Sequence, residues 1–182
     1  MKFRIGAGFA VAVALLLFFN ASGLLGLFML AAAIHELGHL AAIMLCRSKL
    51  TEIRLELTGA AIYYDRSSVG YGGDALIALA GPLLGTAAAF AAARLGFDEF
   101  AGICLVLNAV NLLPAIPLDG GRILASLMGL IFGERGVILI VVHCVTCFGL
   151  LILGTYILYA TGGNFTCLLL ALWLLFSSLK NN

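Results

Sequence analysis

Six long apolar runs, separated by short polar breaks, are the feature that most constrains how this chain can fold. They cover about residues 5 to 19, 23 to 46, 73 to 95, 99 to 132, 136 to 160 and 164 to 179. A membrane-spanning helix needs about 20 apolar residues, because the hydrocarbon core of a bilayer is about 30 Å thick. The runs therefore predict an α-helical polytopic membrane protein with about six transmembrane helices. The first run also has the pattern of a signal peptide, but apolar sequence resumes at once after it, so we expect an uncleaved span.

The composition agrees with a membrane protein and excludes several other classes. Of the 182 residues, 63% are hydrophobic and 10% are charged, whereas soluble domains have about 25% charged residues. Little chain remains outside the apolar runs, so we expect a single membrane domain, residues 1–182. The net charge of +1 provides no basic surface for nucleic acid. The five cysteines are odd in number and predict no disulfide framework, and the C-x-x-C at Cys144 and Cys147 is interpreted as helix packing.

Basic residues cluster beside the ends of the runs that would face one side of the membrane. The positive-inside rule assigns that side to the cytoplasm. An even number of spans then predicts that both termini are cytoplasmic. The residues are Lys2, Arg4, Arg47, Lys49, Arg54, Arg66, Arg135 and Lys180.

The polar stretch between the second and third runs alternates in hydrophobicity. In LTEIRLELTGAAIYYD, residues 50–65, apolar and charged residues alternate up to a turn at Thr58-Gly59. A period of two around a glycine turn predicts a β-hairpin with one apolar face. Such a hairpin beside the membrane can offer its edge to an extended peptide, or it can be a covered loop with no partner. Both interpretations stay open.

The fourth run is longer than one span needs, at about 34 residues. Its middle reads NAVNLLPAIPLDGGR, in which Pro114, Pro117, Gly120 and Gly121 interrupt the helix. Backbone groups left unpaired at membrane depth are tolerated only where they are buried in protein or line a wet cavity. We therefore expect a broken helix around a functional site.

The second run carries ionisable residues in the middle of apolar sequence. His35-Glu36-Leu37-Gly38-His39 is an H-E-x-x-H motif, and the i, i+4 spacing lets both imidazoles reach one metal ion. Zinc suits this arrangement, because a catalytic zinc takes three protein ligands and leaves a fourth position for water, on which Glu36 can act as base. Ionisable residues are expensive inside a membrane and usually mark function. The alternative is that the three side chains merely hydrogen-bond inside the helix bundle.

A third zinc ligand must come from elsewhere in the chain. Asp119 and His143 are the remaining ionisable ligands within the apolar runs. Asp119 is the better candidate, because it lies in the broken segment, where neighbouring glycines allow close approach. His143 lies in an unbroken run, where a histidine more often pairs with a neighbour inside the bundle.

Two motifs in this sequence resemble those of one family. HELGH followed by NLLPAIPLDGG is similar to the site-2 protease family of intramembrane zinc metalloproteases. The resemblance implies that one zinc ion per chain is held by His35, His39 and Asp119, that Glu36 is the general base, and that Asn111 is a further catalytic residue. It covers a catalytic core of about residues 23–132, and Ala80-Gly81-Pro82 also resembles a Gly-Pro element of the family.

The resemblance also suggests a branch, a location and partners. About 80 residues separate HELGH from LDGG, so we expect no PDZ domain, and we expect no C-terminal nucleotide-sensing domain. The layout is similar to the short six-span branch that includes the sporulation protease activating a sigma factor. It implies a bacterial cytoplasmic membrane protein whose partners are the bilayer, a membrane-associated substrate and an inhibitory membrane protein. The rival interpretations are a membrane metal transporter and a catalytically silent scaffold of the same fold.

Overall fold

Helices dominate the computed structural model, which describes residues 2–6, 23–56, 59–133 and 137–180. Its described α-helices are α1 (Leu24–Leu45), α2 (Gly70–Arg94), α3 (Asp98–Asn111), α4 (Asp119–Phe132), α5 (Val137–Thr161) and α6 (Thr166–Lys180). Its strands are β1 (Lys2–Ile5), β2 (Leu50–Glu56) and β3 (Gly59–Tyr64), and a short 3-10 helix follows at Arg66–Ser68. The chain divides into two compact units, residues 1–109 and 110–182. The prediction of one domain over residues 1–182 stays a prediction.

The helix lengths agree with a membrane protein that contains a broken helix. Among the described residues, α1, α2 and α5 are long and apolar enough to cross a membrane. The fourth predicted run consists of α3 and α4, each 14 residues long, which at 1.5 Å per residue is about 21 Å and shorter than the hydrocarbon core. Residues 112–118 join them outside any helix. The predicted fold class is confirmed. The first predicted span, apart from Ile5 and Gly6, lies outside the described residues.

A small sheet confirms the predicted hairpin and contains a further strand that was not predicted. Strands β2 and β3 are antiparallel, with Leu50 opposite Tyr64 and an irregularity in register between Leu50 and Glu52. Strand β1 pairs in parallel with β2, with Lys2 opposite Glu52. The alternation of Lys, Phe, Arg and Ile over residues 2–5 is the period-two pattern that indicates this strand. The order β1-β2-β3 makes β3 an edge strand of the described sheet.

In the first unit, the hairpin packs on the ends of α1 and α2. Its apolar face joins a buried cluster formed by Ala42, Ile43 and Ile77, against which Leu50, Ile62 and Tyr64 pack. Polar contacts fasten the same strand to α2, because the Tyr64 hydroxyl donates to the buried carboxylate of Asp74. Arg66 pairs with that carboxylate at 3.5 Å. One side of the hairpin, with Leu50, Ile62 and Tyr64, therefore packs against the helices.

In the second unit, α5 pairs with α6, and the turn before α4 packs against both helices. A Cβ atom at Gly154 of α5 would lie 2.8 Å from the backbone nitrogen of Leu168, so glycine permits the close approach of the two helices. The turn contributes to a core cluster whose buried members are Ala115, Leu118, Cys147 and Leu174. At Ala115 and Leu118 the non-helical segment is thus buried in protein, which is the condition for such backbone at membrane depth.

Candidate metal centre

Two histidines of α1 face each other from successive turns of the helix. His35 and His39 are 3% and 5% exposed, and their Nε2 atoms are 3.2 Å apart. The rings meet edge to face, with centroids separated by 4.9 Å. The i, i+4 spacing therefore brings both imidazoles to one buried point.

A chain of hydrogen bonds decides which nitrogen of His35 carries the proton. The Thr86 hydroxyl donates to the Pro82 carbonyl at 2.7 Å, so it accepts from the amide nitrogen of Asn108, 3.2 Å away. The amide oxygen of Asn108 then lies 2.9 Å from Nδ1 of His35 and can only accept. Nδ1 of His35 must therefore be the donor, which makes Nε2 an acceptor in the neutral ring.

A backbone carbonyl orients His39 in the same way. Nδ1 of His39 donates to the carbonyl of Ile77 at 2.7 Å, because a carbonyl oxygen can only accept. The Nε2 atom of His39 is then also an acceptor in the neutral ring. Both histidines thus present an Nε2 acceptor to the same point.

This pair of acceptors fits a metal ion. Two lone pairs 3.2 Å apart repel each other unless a cation or a proton lies between them. Nitrogen ligands at about 2.0–2.1 Å from a tetrahedral zinc ion are about 3.3 Å apart. Metal-binding histidines also commonly donate their second ring nitrogen to a carbonyl or carboxylate. The two imidazoles therefore have the tautomers and the separation that zinc requires.

Glycines let helix α2 lie directly against the histidines and their partner. A Cβ atom at Gly81 would overlap the ring of His39. A Cβ atom at Gly85 would lie 2.7 Å from both polar atoms of the Asn108 side chain. The absence of side chains at these positions gives the imidazole and the amide the space they occupy.

Asp119, the predicted third ligand, begins α4 in the second unit and is 7% exposed. A Cβ atom at Gly121 would lie 2.6 Å from the carbonyl carbon and oxygen of Ala115, so the first turn of α4 rests directly on the broken segment. Nη1 of Arg122 is 3.4 Å from the Asp119 carboxylate. A buried carboxylate is one of the donor types that can hold a zinc ion.

Comparison with solved structures identifies the fold. The chain is similar to the site-2 protease from Methanocaldococcus jannaschii, with a TM-score of 0.65 over 97% of this chain and 88% of that chain. This chain has the site-2 protease fold. The sequence identity is 22%, and neither the family models nor the curated protein sequences give a match. The resemblance indicated by the HELGH and LDGG motifs is confirmed at the level of the fold.

Two further predicted site residues have defined places in this site-2 protease fold. Glu36 directly follows His35 on α1 and is half-buried. Asn111 is the last residue of α3 and is also half-buried. Their catalytic roles stay predictions.

Asn108 and Thr86 belong to the site, although no sequence motif marks them. Asn108 is 3% exposed and lies one helical turn before Asn111 on α3. The sequence indicates Asn108 only by placing a polar side chain inside an apolar run. The motif of the site-2 protease family directs attention to Asn111 instead, and a pattern does not show which asparagine faces His35.

His143, the alternative third ligand, is engaged elsewhere in the second unit. Its Nδ1 accepts a hydrogen bond from the backbone N–H of Ile116 at 3.2 Å. Its Nε2 is 3.6 Å from the sulfur of Cys147 on the same helix. Each ring nitrogen of His143 thus has a protein neighbour within the second unit, and the choice of Asp119 as third ligand stays a prediction.

Proposed function

We propose that this protein is an intramembrane zinc metalloendopeptidase that hydrolyses a peptide bond in or near a transmembrane segment of its substrate. One observation carries the proposal. The Nδ1 atoms of His35 and His39 both act as donors, so two Nε2 acceptors face each other at 3.2 Å within an apolar helix. A metal cation is a group that such a histidine pair can hold.

In this proposal, His35, His39 and Asp119 hold one zinc ion per chain. Their burial and their donor types support the assignment. Bound zinc would supply Lewis acidity to water and to the scissile carbonyl. The apolar surroundings strengthen the electrostatic interactions of these ligands, because the effective dielectric constant is low there.

Glu36 and Asn111 handle the proton and the substrate. Glu36 accepts the proton of the attacking water and later delivers it to the leaving amine, as a general base and acid. Its position next to His35 on α1 supports this role. Asn111 donates its amide hydrogen to the substrate backbone or to the developing oxyanion.

The proposed substrate is a membrane-associated protein such as a pro-sigma factor, an anti-sigma factor or a signal peptide. A helical substrate hides its amides, so it must unwind before cleavage. The edge strand β3 can pair with the unwound segment by adding a strand to the sheet. We also propose that the protein lies in a bacterial cytoplasmic membrane with both termini in the cytoplasm. It belongs, in this proposal, to the short six-span branch of the family and is controlled by an inhibitory membrane partner.

Zinc content and cleavage, measured on purified protein with candidate membrane substrates, test the proposed function. We expect the wild type and Glu36→Gln to hold about one zinc per chain, with cleavage lost in Glu36→Gln because the base is missing. We expect Asp119→Asn to lose both zinc and cleavage. Glu99→Gln, at an exposed acid of α3, is the matched control and should resemble the wild type.

Other results would favour the rival functions. Cleavage that persists in Glu36→Gln and Asp119→Asn at matched protein levels contradicts the zinc mechanism. Metal uptake into proteoliposomes that depends on His35, without cleavage, would indicate a transporter. Zinc binding without cleavage of any substrate would indicate a silent scaffold.

A further inference from the structure

His143 of α5 binds the backbone of the segment that precedes Asp119. Its side chain is buried, and its Nδ1 lies 3.2 Å from the backbone nitrogen of Ile116. A backbone N–H can only donate, so Nδ1 of His143 is the acceptor and Nε2 carries the proton of the neutral ring. This tautomer is the opposite of the one found in His35 and His39, which suits a hydrogen-bonding role rather than metal ligation through Nδ1.

The Ile116 peptide supports the first turn of α4. A Cβ atom at Gly121 would lie 2.6 Å from the Ala115 carbonyl and 2.8 Å from the nitrogen of Ile116. The backbone of α4 therefore rests on the same peptide group whose N–H donates to His143. Asp119 is two residues before Gly121 in that first turn, so a movement of this peptide must shift Asp119 or open a gap beneath it.

Other contacts of the segment leave this N–H to His143. Backbone bonds join Ala115 to Leu113 and Leu118 to Ala115, and Pro114 and Pro117 have no N–H to offer. The Ile116 N–H is part-buried, and a donor shielded from water that loses its acceptor is unfavourable. Loss of the His143 acceptor should therefore displace the Ile116 peptide toward another acceptor.

We propose that His143 is a positioning residue that holds Asp119 in place through the Ile116 peptide. This inference rests on the proposed function, in which Asp119 is a metal ligand. His143 does not touch the metal or the substrate in this role. It supplies an acceptor from α5 to a backbone that the broken helix leaves without a helical partner.

Two amide substitutions test the position of the acceptor. Asparagine places its side-chain oxygen at the same number of bonds from Cβ as Nδ1 of histidine, whereas glutamine carries its oxygen one bond farther. We expect His143→Asn to bind zinc nearly as tightly as the wild type. We expect His143→Gln and His143→Leu to bind zinc about 10-fold more weakly, which is the effect of losing an outer partner of a metal site. Zinc dissociation constants are measured on the purified full chain in detergent by competition with a chromophoric chelator.

The outcomes separate this inference from the proposed function. Cys144→Ser, at an exposed position of the same helix, is the control and should leave zinc affinity unchanged. Wild-type zinc affinity in both His143→Gln and His143→Leu would overturn the positioning role, and so would equal losses in the Asn and Gln variants. If His143→Leu does not fold, the comparison of Asn with Gln still decides. A wild type that binds no zinc refutes the proposed function, and the inference fails with it.

Discussion

Gly81→Ala should damage the proposed metal centre while changing stability little. The new methyl group would lie 2.5 Å from Cε1 of His39, and an ordinary contact begins at 3.4 Å, so the ring or the helix must move by about 0.9 Å. The ring cannot turn aside cheaply, because its Nδ1 is bonded to the Ile77 carbonyl. The substitution therefore displaces the ring of His39, a predicted zinc ligand, by about 0.9 Å. A displacement of about 1 Å is large enough to affect catalysis.

The expected magnitudes differ for stability and for activity. Overpacking a buried site costs about 1–3 kcal/mol, and replacing glycine by alanine within a helix regains about 1 kcal/mol. The net loss of stability of Gly81→Ala should thus be about 2 kcal/mol or less. A misplacement of about 1 Å can reduce catalysis about 100-fold. We expect a cleavage rate lowered by about that factor, with weaker zinc binding.

Cleavage rate, zinc affinity and thermal unfolding in detergent together check this expectation. Gly72→Ala is the matched control, because it lies on the same helix and a Cβ atom there would have no neighbour within 4 Å. That control should keep its activity. Zinc affinity and cleavage equal to the wild type in folded Gly81→Ala would refute the reasoning, since His39 would then not need the space that glycine provides.

Three further predictions concern the surroundings of the site. Asn108→Leu removes the oxygen that accepts from Nδ1 of His35. We expect it to weaken zinc binding about 10-fold in the chelator competition. Tyr64→Phe removes a hydrogen bond to the buried Asp74 carboxylate and should lower the unfolding free energy by about 1.5–3 kcal/mol without changing zinc content. The hydrogen bond from the Ser67 side chain lowers the pKa of Asp65 from its ordinary 3.8. The stabilising contribution of the Asp65 carboxylate is therefore present above pH 3.8 and is lost as the pH falls through the lowered pKa. We expect Asp65→Asn to flatten the dependence of the unfolding free energy on pH in that range.

Local sequence patterns predicted the described helices and the placement of two histidines on one helix face. The second apolar run predicted residues 23 to 46 and the helix covers Leu24–Leu45, because a bilayer demands a run of this length and a helix satisfies every backbone group within it. The spacing of His35 and His39 placed both on one face for the same local reason. The prolines and glycines of the fourth run likewise predicted a break, found at residues 112–118.

Only the tertiary structure decided which groups support the site. Asn108 reaches His35 across 73 positions of the sequence, and Gly81 makes room for His39 from another helix. The parallel pairing of β1 with β2 is equally non-local. The i, i+4 spacing shows that the two histidines share one helix face, since that depends on the residues of the helix itself. It does not report what that face meets, because the partner of a buried polar atom is chosen by the packing of distant segments.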